Sequence, residues 1–486
     1  MTVDPPSLAP DLDPSDWPAA RAQAHRMLDD MLDHMQGVGE GPVWRPAPAA
    51  VRDKFAAPLP CGPQPLEAVH EEFRRTVLPY GVGNAHPRFF GWVHGGGTVV
   101  GMLAEMLAAG LNANLGGRDQ TPVLLERQVA RWMAELFGFP SSASGLFVTG
   151  ASMANLIAVL VARADRLGAG SRQSGAGVAG AKLRAYASGL AHSCIAKAMD
   201  MAGLGSNALR SIPVDAMGRM DLAALAAAVA NDKADGLEPF LLIGTAGSVD
   251  TGSIDDLAAL AQIASEQRLW LHVDGAFGAL AKLSPDLAPL LDGIERADSI
   301  AFDFHKWGQA PYDAGFVMVR DGDKHQAAFA TTAAYLRREA KGLAAGAPWP
   351  CDFGPDLSRG FRALKVWFAF KTYGAEAIGA TILNTCRLGA YLAARVDAEP
   401  ELERLAPAPL NIVCLRYRGP DPDHLNSQIV LALQTSGVAA PSTTLINGAL
   451  AIRVAIVNHR TRAADIDLLI AEVLRLGRSL SRGHAA

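Results

Sequence analysis

Cysteine is scarce and scattered: five residues, Cys61, Cys194, Cys351, Cys386 and Cys414, in a chain of 486, with no Cys-x-x-Cys pair. That pattern excludes a disulfide framework and a structural zinc site, and it fits a reducing cytoplasm. Excess positive charge is also missing. The formal net charge is -5, so no electrostatic reason exists to expect nucleic acid or an anionic membrane as a partner. No apolar run is long enough to span a bilayer, because Ala and Gly dilute every candidate. The opening MTVDPPSLAPDLDPSDW lacks the basic and apolar regions of a secretory leader. The histidines lack the i, i+4 spacing with a third ligand that would suggest a metal.

What is present suits a globular enzyme: half of the residues are hydrophobic and 19% are charged. The length predicts more than one structural unit. Residues 16–36 read as an amphipathic helix with the stripe Met27, Leu28, Met31, Leu32 and Met35, suited to packing on a second subunit. Helices are expected over 66–78, 100–114, 123–137 and 152–167, with a Gly/Ala/Ser-rich surface loop over 168–181. Short apolar runs then alternate with helical stretches: Leu183–Ser188, Phe240–Gly244, Leu269–Val273, Ile300–Phe304 and Gly315–Val319. This is the pattern of an α/β unit with a mostly parallel sheet. Helices at 359–374 and 376–398, strands at Ile412–Tyr417 and Ala449–Val457, and a helix near 463–477 suggest a smaller α+β unit. The expected division is an N-terminal extension over 1–98, a large α/β domain over 99–375 and a small domain over 376–486.

Four runs could carry chemistry, each at a strand end or strand–helix turn, where ligands bind in open α/β sheets. Thr149-Gly150-Ala151-Ser152 leads into a helix; its small residues and free N–H groups could seat an anion, or form an ordinary serine-capped helix. His192 follows a strand and could stack on a flat heteroaromatic ring, or simply cap or fill the core. Asp274 closes an apolar strand and needs a partner, either a protonated pyridine nitrogen or the next helix. Ala276 beside it is small enough for a ring to lie against. Lys306 directly follows another apolar strand between His305 and Trp307; partial burial would favour an imine-forming amine, exposure a snorkelling lysine. Taken in order, these are the parts that pyridoxal 5'-phosphate needs.

With these residues the chain resembles the group II pyridoxal-phosphate-dependent decarboxylases, the family of aromatic-L-amino-acid, histidine and glutamate decarboxylases. The resemblance runs from about Pro42 to Leu476. Its most specific pieces are His86-Pro87-Arg88-Phe89-Phe90, His272-Val273-Asp274, His305-Lys306-Trp307, Phe361-Arg362-Ala363-Leu364-Lys365 and Arg453-Val454-Ala455-Ile456. It implies the aspartate aminotransferase-like fold (fold type I), a homodimer with sites at the interface, and loss of CO2 from an amino acid imine-linked to the cofactor. It further implies that Lys306 bears the cofactor, Asp274 pairs with its ring nitrogen, and His192 and Ala276 flank the ring. Ala151, Ser152, Ser299 and His305 would surround the phosphate, and Ser248 would supply a hydroxyl in the turn 246–252.

Three departures stand out. The tyrosine that a mobile loop supplies to the aromatic-acid enzymes falls on or near Pro350, and no tyrosine lies between Tyr335 and Tyr373. Another proton donor is needed, His192 or water, or else the outcome is aldehyde formation or another carbon–carbon lyase reaction. The segment Gly91-Trp92-Val93-His94-Gly95-Gly96-Gly97 puts Trp92 and a titratable His94 where the substrate is expected; the histidine could set specificity or be satisfied by local backbone. Asp303 stands where the aromatic-acid enzymes often have Asn. Retention of both Lys306 and Asp274 argues against a non-catalytic relative.

Overall fold

The computed structural model describes residues 11–168, 170–331 and 337–483. Among these residues the strands are β1 (Phe89–Phe90), β2 (Ser144–Val148), β3 (Leu183–Ser188), β4 (Leu209–Ile212), β5 (Glu238–Thr245), β6 (Trp270–Asp274), β7 (Ser299–Asp303), β8 (Gly315–Val319), β9 (Leu402–Arg404), β10 (Ile412–Tyr417), β11 (Ala440–Ile446) and β12 (Ala449–Ala455).

The near-continuous apolar runs of β3, β5, β6 and β7 are buried on both faces, as parallel strands covered by helices require. They lie within a seven-stranded sheet of order β2-β8-β7-β6-β5-β3-β4. Strands β4, β3, β5, β6 and β7 run parallel, and β8 runs against both β7 and β2. The helix Ala151–Leu167 covers one face over β5 to β8 with Ala154, Ile157, Ala158 and Val161 turned inward. One feature of the large sheet sets the site: the carboxyl ends of β3, β5, β6 and β7 all point the same way.

A second sheet of order β1-β11-β12-β10-β9 forms the small unit. Its edge strand comes from far away in the chain: β1 pairs parallel with β11, Phe89 beside Ala440. The pairing crosses the expected boundary at residue 98. The helices expected over 359–374 and 376–398 lie within Ala363–Ala398 and are parted at Gly374, whose φ of 79° and ψ of 155° break the helical geometry at little cost for glycine. The segment expected as a loop over 168–181 contains two short helices, Ser171–Ser174 and Gly177–Lys182. The N-terminal helix Trp17–Gln36, capped by Asp16, leans on the helix Leu66–Thr76 through Gln23 with His70 and Asp30 with Arg74. Among the described residues no helix is long and apolar enough to cross a membrane.

Candidate active site

The ends of β3, β5, β6 and β7, the start of the helix Ala151–Leu167 and the segment 92–94 enclose a cavity of about 380 Å³. That volume suits one cofactor-sized molecule. Lys306 enters it just past β7. Trp307, fully buried edge-on to Phe277 with its indole N–H on Thr385 Oγ1 at 3.1 Å, fixes the chain on one side of the lysine. On the other side His305 Nδ1 accepts from Ala314 N at 3.0 Å, so the neutral ring carries its proton on Nε2, 3.6 Å from Asp303 Oδ2. Burial pushes the His305 pKa down to about 4, which keeps the ring neutral. Lys306 Nζ is paired with Asp303 Oδ2 at 2.8 Å.

Asp274, at the end of β6, is 5% exposed and accepts from Ala276 N at 3.1 Å and from Asn155 Nδ2 at 3.2 Å. Burial pushes its pKa up, and Lys306 opposes that shift. Ala276 lies on the cavity wall beside it. His192 stands exposed at the mouth; its Nδ1 accepts from Cys194 N at 3.2 Å, which leaves Nε2 free to face the cavity. The helix Ala151–Leu167 has no side-chain cap. Its first backbone bonds to Gly150 O come from Met153 and Ala154, so the N–H groups of Ala151 and Ser152 are left for an anion.

Two expected contacts lie elsewhere. Ser299 does not reach the cavity: it opens β7, four residues before Asp303 and so roughly 13 Å back along the strand, and its hydroxyl meets His272 and Trp270. Ser248 is turned into its own tight turn, bonded to Thr251 and Ser253, while Thr245, Gly247 and Val249 form that wall. Trp92 and His94 do line the cavity. His94 clusters with Phe89 and Trp92 at 5.6 and 5.9 Å, and burial, helped by Lys306, lowers its pKa. The glycines after it permit close approach: a Cβ on Gly95 would collide with the backbone oxygens of His305 and Lys306.

Residues that sequence reasoning passed over are also present. Tyr312 lines the cavity, its ring 4.3 Å from that of His305 and edge-on to His94 at 5.8 Å; among the described residues its hydroxyl has no hydrogen-bond partner. Burial, then Asp303, raises its pKa, so the phenol keeps its proton. Arg453 braces two walls, donating from Nε to Val249 O at 2.7 Å and from Nη1 to Trp92 O at 3.2 Å. Pro350 is buried and lines a different cleft with Glu126 and Phe353, while Trp349 is held under the Arg338 guanidinium at 3.5 Å. Tyr335 lies outside the described residues.

A buried carboxylate, an accessible lysine, an uncapped helix start and the buried Thr245 hydroxyl, unpartnered among the described residues, give pyridoxal phosphate a complementary group for its ring nitrogen, its aldehyde and its phosphate. The fold is that of a pyridoxal-phosphate enzyme with the aspartate aminotransferase-like architecture. The chain belongs to the pyridoxal-dependent decarboxylase family, whose conserved-domain model matches residues 48–418, and it is therefore a carboxy-lyase that uses this cofactor on an amino acid. It is 30% identical to an aromatic-L-amino-acid decarboxylase of Bacillus atrophaeus, over 95% of this chain and 96% of that one. It is also 30% identical to an L-2,4-diaminobutyrate decarboxylase of Rhizobium meliloti, over 88% and 85% of the two chains. The solved structure of Oryza sativa TDC with PLP and tryptamine superposes with a TM-score of 0.88 at 25% identity, covering 97% of this chain and 100% of that one.

Proposed function

We propose that this carboxy-lyase acts on an aromatic L-amino acid, that Lys306 is the covalent anchor of its cofactor, and that it works as a cytoplasmic homodimer. The observation that carries the substrate class is the outer wall of the cavity: Trp92, His94 and Tyr312 form an aromatic surface, and the one lysine or arginine among the described lining residues, Lys306, is already paired with Asp303. A distal carboxylate would find no free cation there. A ring bearing a hydroxyl would stack on Trp92 and could hydrogen-bond to His94, which burial keeps neutral.

When bound, the cofactor supplies an electron-accepting ring that stabilises the charge left when CO2 departs. The Asp274 carboxylate holds a proton on the ring nitrogen, and the N–H groups of Ala151 and Ser152 hold the phosphate at the positive end of their helix, with His305 beside them. Ala276 and His192 flank the two ring faces. Tyr312, whose ring stands beside His305 and whose hydroxyl has no hydrogen-bond partner among the described residues, delivers the proton that completes the amine.

The homodimer is supported by apolar side chains left exposed on one chain: Phe55, Leu59, Val69 and Phe73 in the N-terminal layer, and Met106, Leu107 and Leu111 of the helix Val99–Leu111. A reducing compartment is supported by the five unpaired cysteines. Three measurements test the reading. Lys306→Ala should lose the long-wavelength absorbance of the lysine-linked cofactor and lower activity by at least about 10³-fold; persistence of the band would refute the lysine assignment. Among L-amino acids, aromatic ones should be preferred, and His94→Ala should reduce discrimination for the ring hydroxyl. Acidic substrates turning over best would overturn the substrate class, and ammonia and peroxide in step with CO2 would show aldehyde formation instead. An active monomer in solution would refute the dimer.

A further inference from the structure

Behind Asp274 lies a line of buried polar groups in which each hydrogen bond has one consistent direction. His272 and Asp274 are two apart on β6 and so share a face; Ser299 sits beside His272 across the ladder, and Asn155 reaches down from the helix above. Trp270 Nε1 can only donate, and it meets Ser299 Oγ at 2.8 Å. Asn155 Nδ2 lies 3.2 Å from Asp274 Oδ2 and 3.2 Å from Cys194 Sγ, so the amide turns its N–H groups toward the carboxylate. The amide oxygen therefore faces His272 Nε2 at 2.7 Å, and that nitrogen must carry the proton. Complete burial pushes the His272 pKa down to about 3, against a weaker pull from the Ser299 backbone. The ring is neutral, and its bare Nδ1 accepts from the Ser299 hydroxyl at 2.9 Å. Every donor points from the indole toward the carboxylate.

Such an arrangement does more than fill polar valences. Aligned hydrogen bonds polarise one another in a low dielectric, and here the last one ends on a carboxylate that burial would otherwise drive toward its neutral form. A neutral Asp274 could not hold a proton on a ring nitrogen. We infer that Asn155 and His272 are positioning residues that keep Asp274 ionised and aimed at the cofactor's ring nitrogen, an inference that rests on Asp274 being the partner of that nitrogen.

The experiment titrates cofactor-stripped enzyme with pyridoxal phosphate and with its carbocyclic analogue, in which carbon replaces the ring nitrogen. The wild type should prefer the natural cofactor. Asn155→Ala removes the donor, and His272→Phe keeps a ring while deleting both of its hydrogen bonds; either variant suffices if the other fails to fold. Each should weaken pyridoxal phosphate by about tenfold, the scale of one charge-assisted hydrogen bond, and leave the analogue's affinity unchanged. A purely structural role would weaken both ligands alike, and that result, or no change in either, overturns the inference. Asp274→Asn serves as the reference: it should abolish the preference outright. If it does not, the pairing of Asp274 with the ring nitrogen is itself wrong, whatever the other variants do.

Discussion

Asp303 Oδ2 lies 2.8 Å from Lys306 Nζ, and its second oxygen is buried without a partner among the described residues. The orphan oxygen faces Gly150, just before the helix start proposed to hold the phosphate. A carboxylate at that point repels a phosphate dianion while it steadies the lysine. Asp303→Asn should therefore tighten pyridoxal phosphate binding by about tenfold, read as a lower Kd in titrations of the stripped enzyme. A higher Kd would show that holding Lys306 matters more than the repulsion.

Tyr312→Phe keeps the ring against His305 and His94 and removes only the hydroxyl. If the phenol delivers the proton, kcat should fall by about 10²-fold with little change in KM. A raised KM at constant kcat would assign the hydroxyl to substrate recognition instead.

His325 gives a pH prediction outside the cavity. It is fully buried with Nδ1 2.8 Å from Ser144 Oγ, and burial lowers its pKa from 6.5 to about 3. The unfolded chain then binds a proton that the native chain does not, so its contribution is complete above pH 6.5 and is lost as the pH falls toward 3. Over that window His325→Leu should remove about 1.4 kcal/mol per pH unit from the slope of stability against pH, measured by urea unfolding. Identical slopes in variant and wild type would contradict the shift.

Glu126 and Arg359 form an ion pair almost closed to solvent, Oε1 to Nη2 at 2.6 Å, and Arg359 also donates to Phe147 O at 2.8 Å. The pair ties the helix Thr121–Phe137 to β2, the strand that delivers Thr149 and Gly150 to the site. Glu126→Ala strands a buried guanidinium and should cost about 3–5 kcal/mol, seen as a large fall in Tm. A loss below 1 kcal/mol would mean that water enters to replace the carboxylate.

The parallel strands were legible because burial on both faces leaves little but apolar residues in them. β2, β4 and β11 were not: they are short or open with residues such as Ser, Gly and Pro, and only their neighbours in the sheet make them strands. The cavity residues at strand ends, Lys306, Asp274 and His192, could be read because their chemistry is unusual for their place. Ser299 and Ser248 could not be placed, since a hydroxyl looks the same in sequence whether it meets a ligand or its own core. Asn155 and Tyr312 were invisible for a further reason: each gains meaning only from side chains more than a hundred residues away or from a loop that folds back onto the cavity.

The two residues of β1 belong to the small sheet, yet within seven residues the same strand of chain has passed Trp92 and His94 and lies against the backbone of His305 and Lys306. Arg453, from β12 of that sheet, grips Trp92 and Val249 together. The cavity wall at Trp92 is thus joined to the small sheet twice, by the run of chain from β1 and by the Arg453 side chain. The width of the cavity at Trp92 is therefore fixed from the small sheet as well as from the large one.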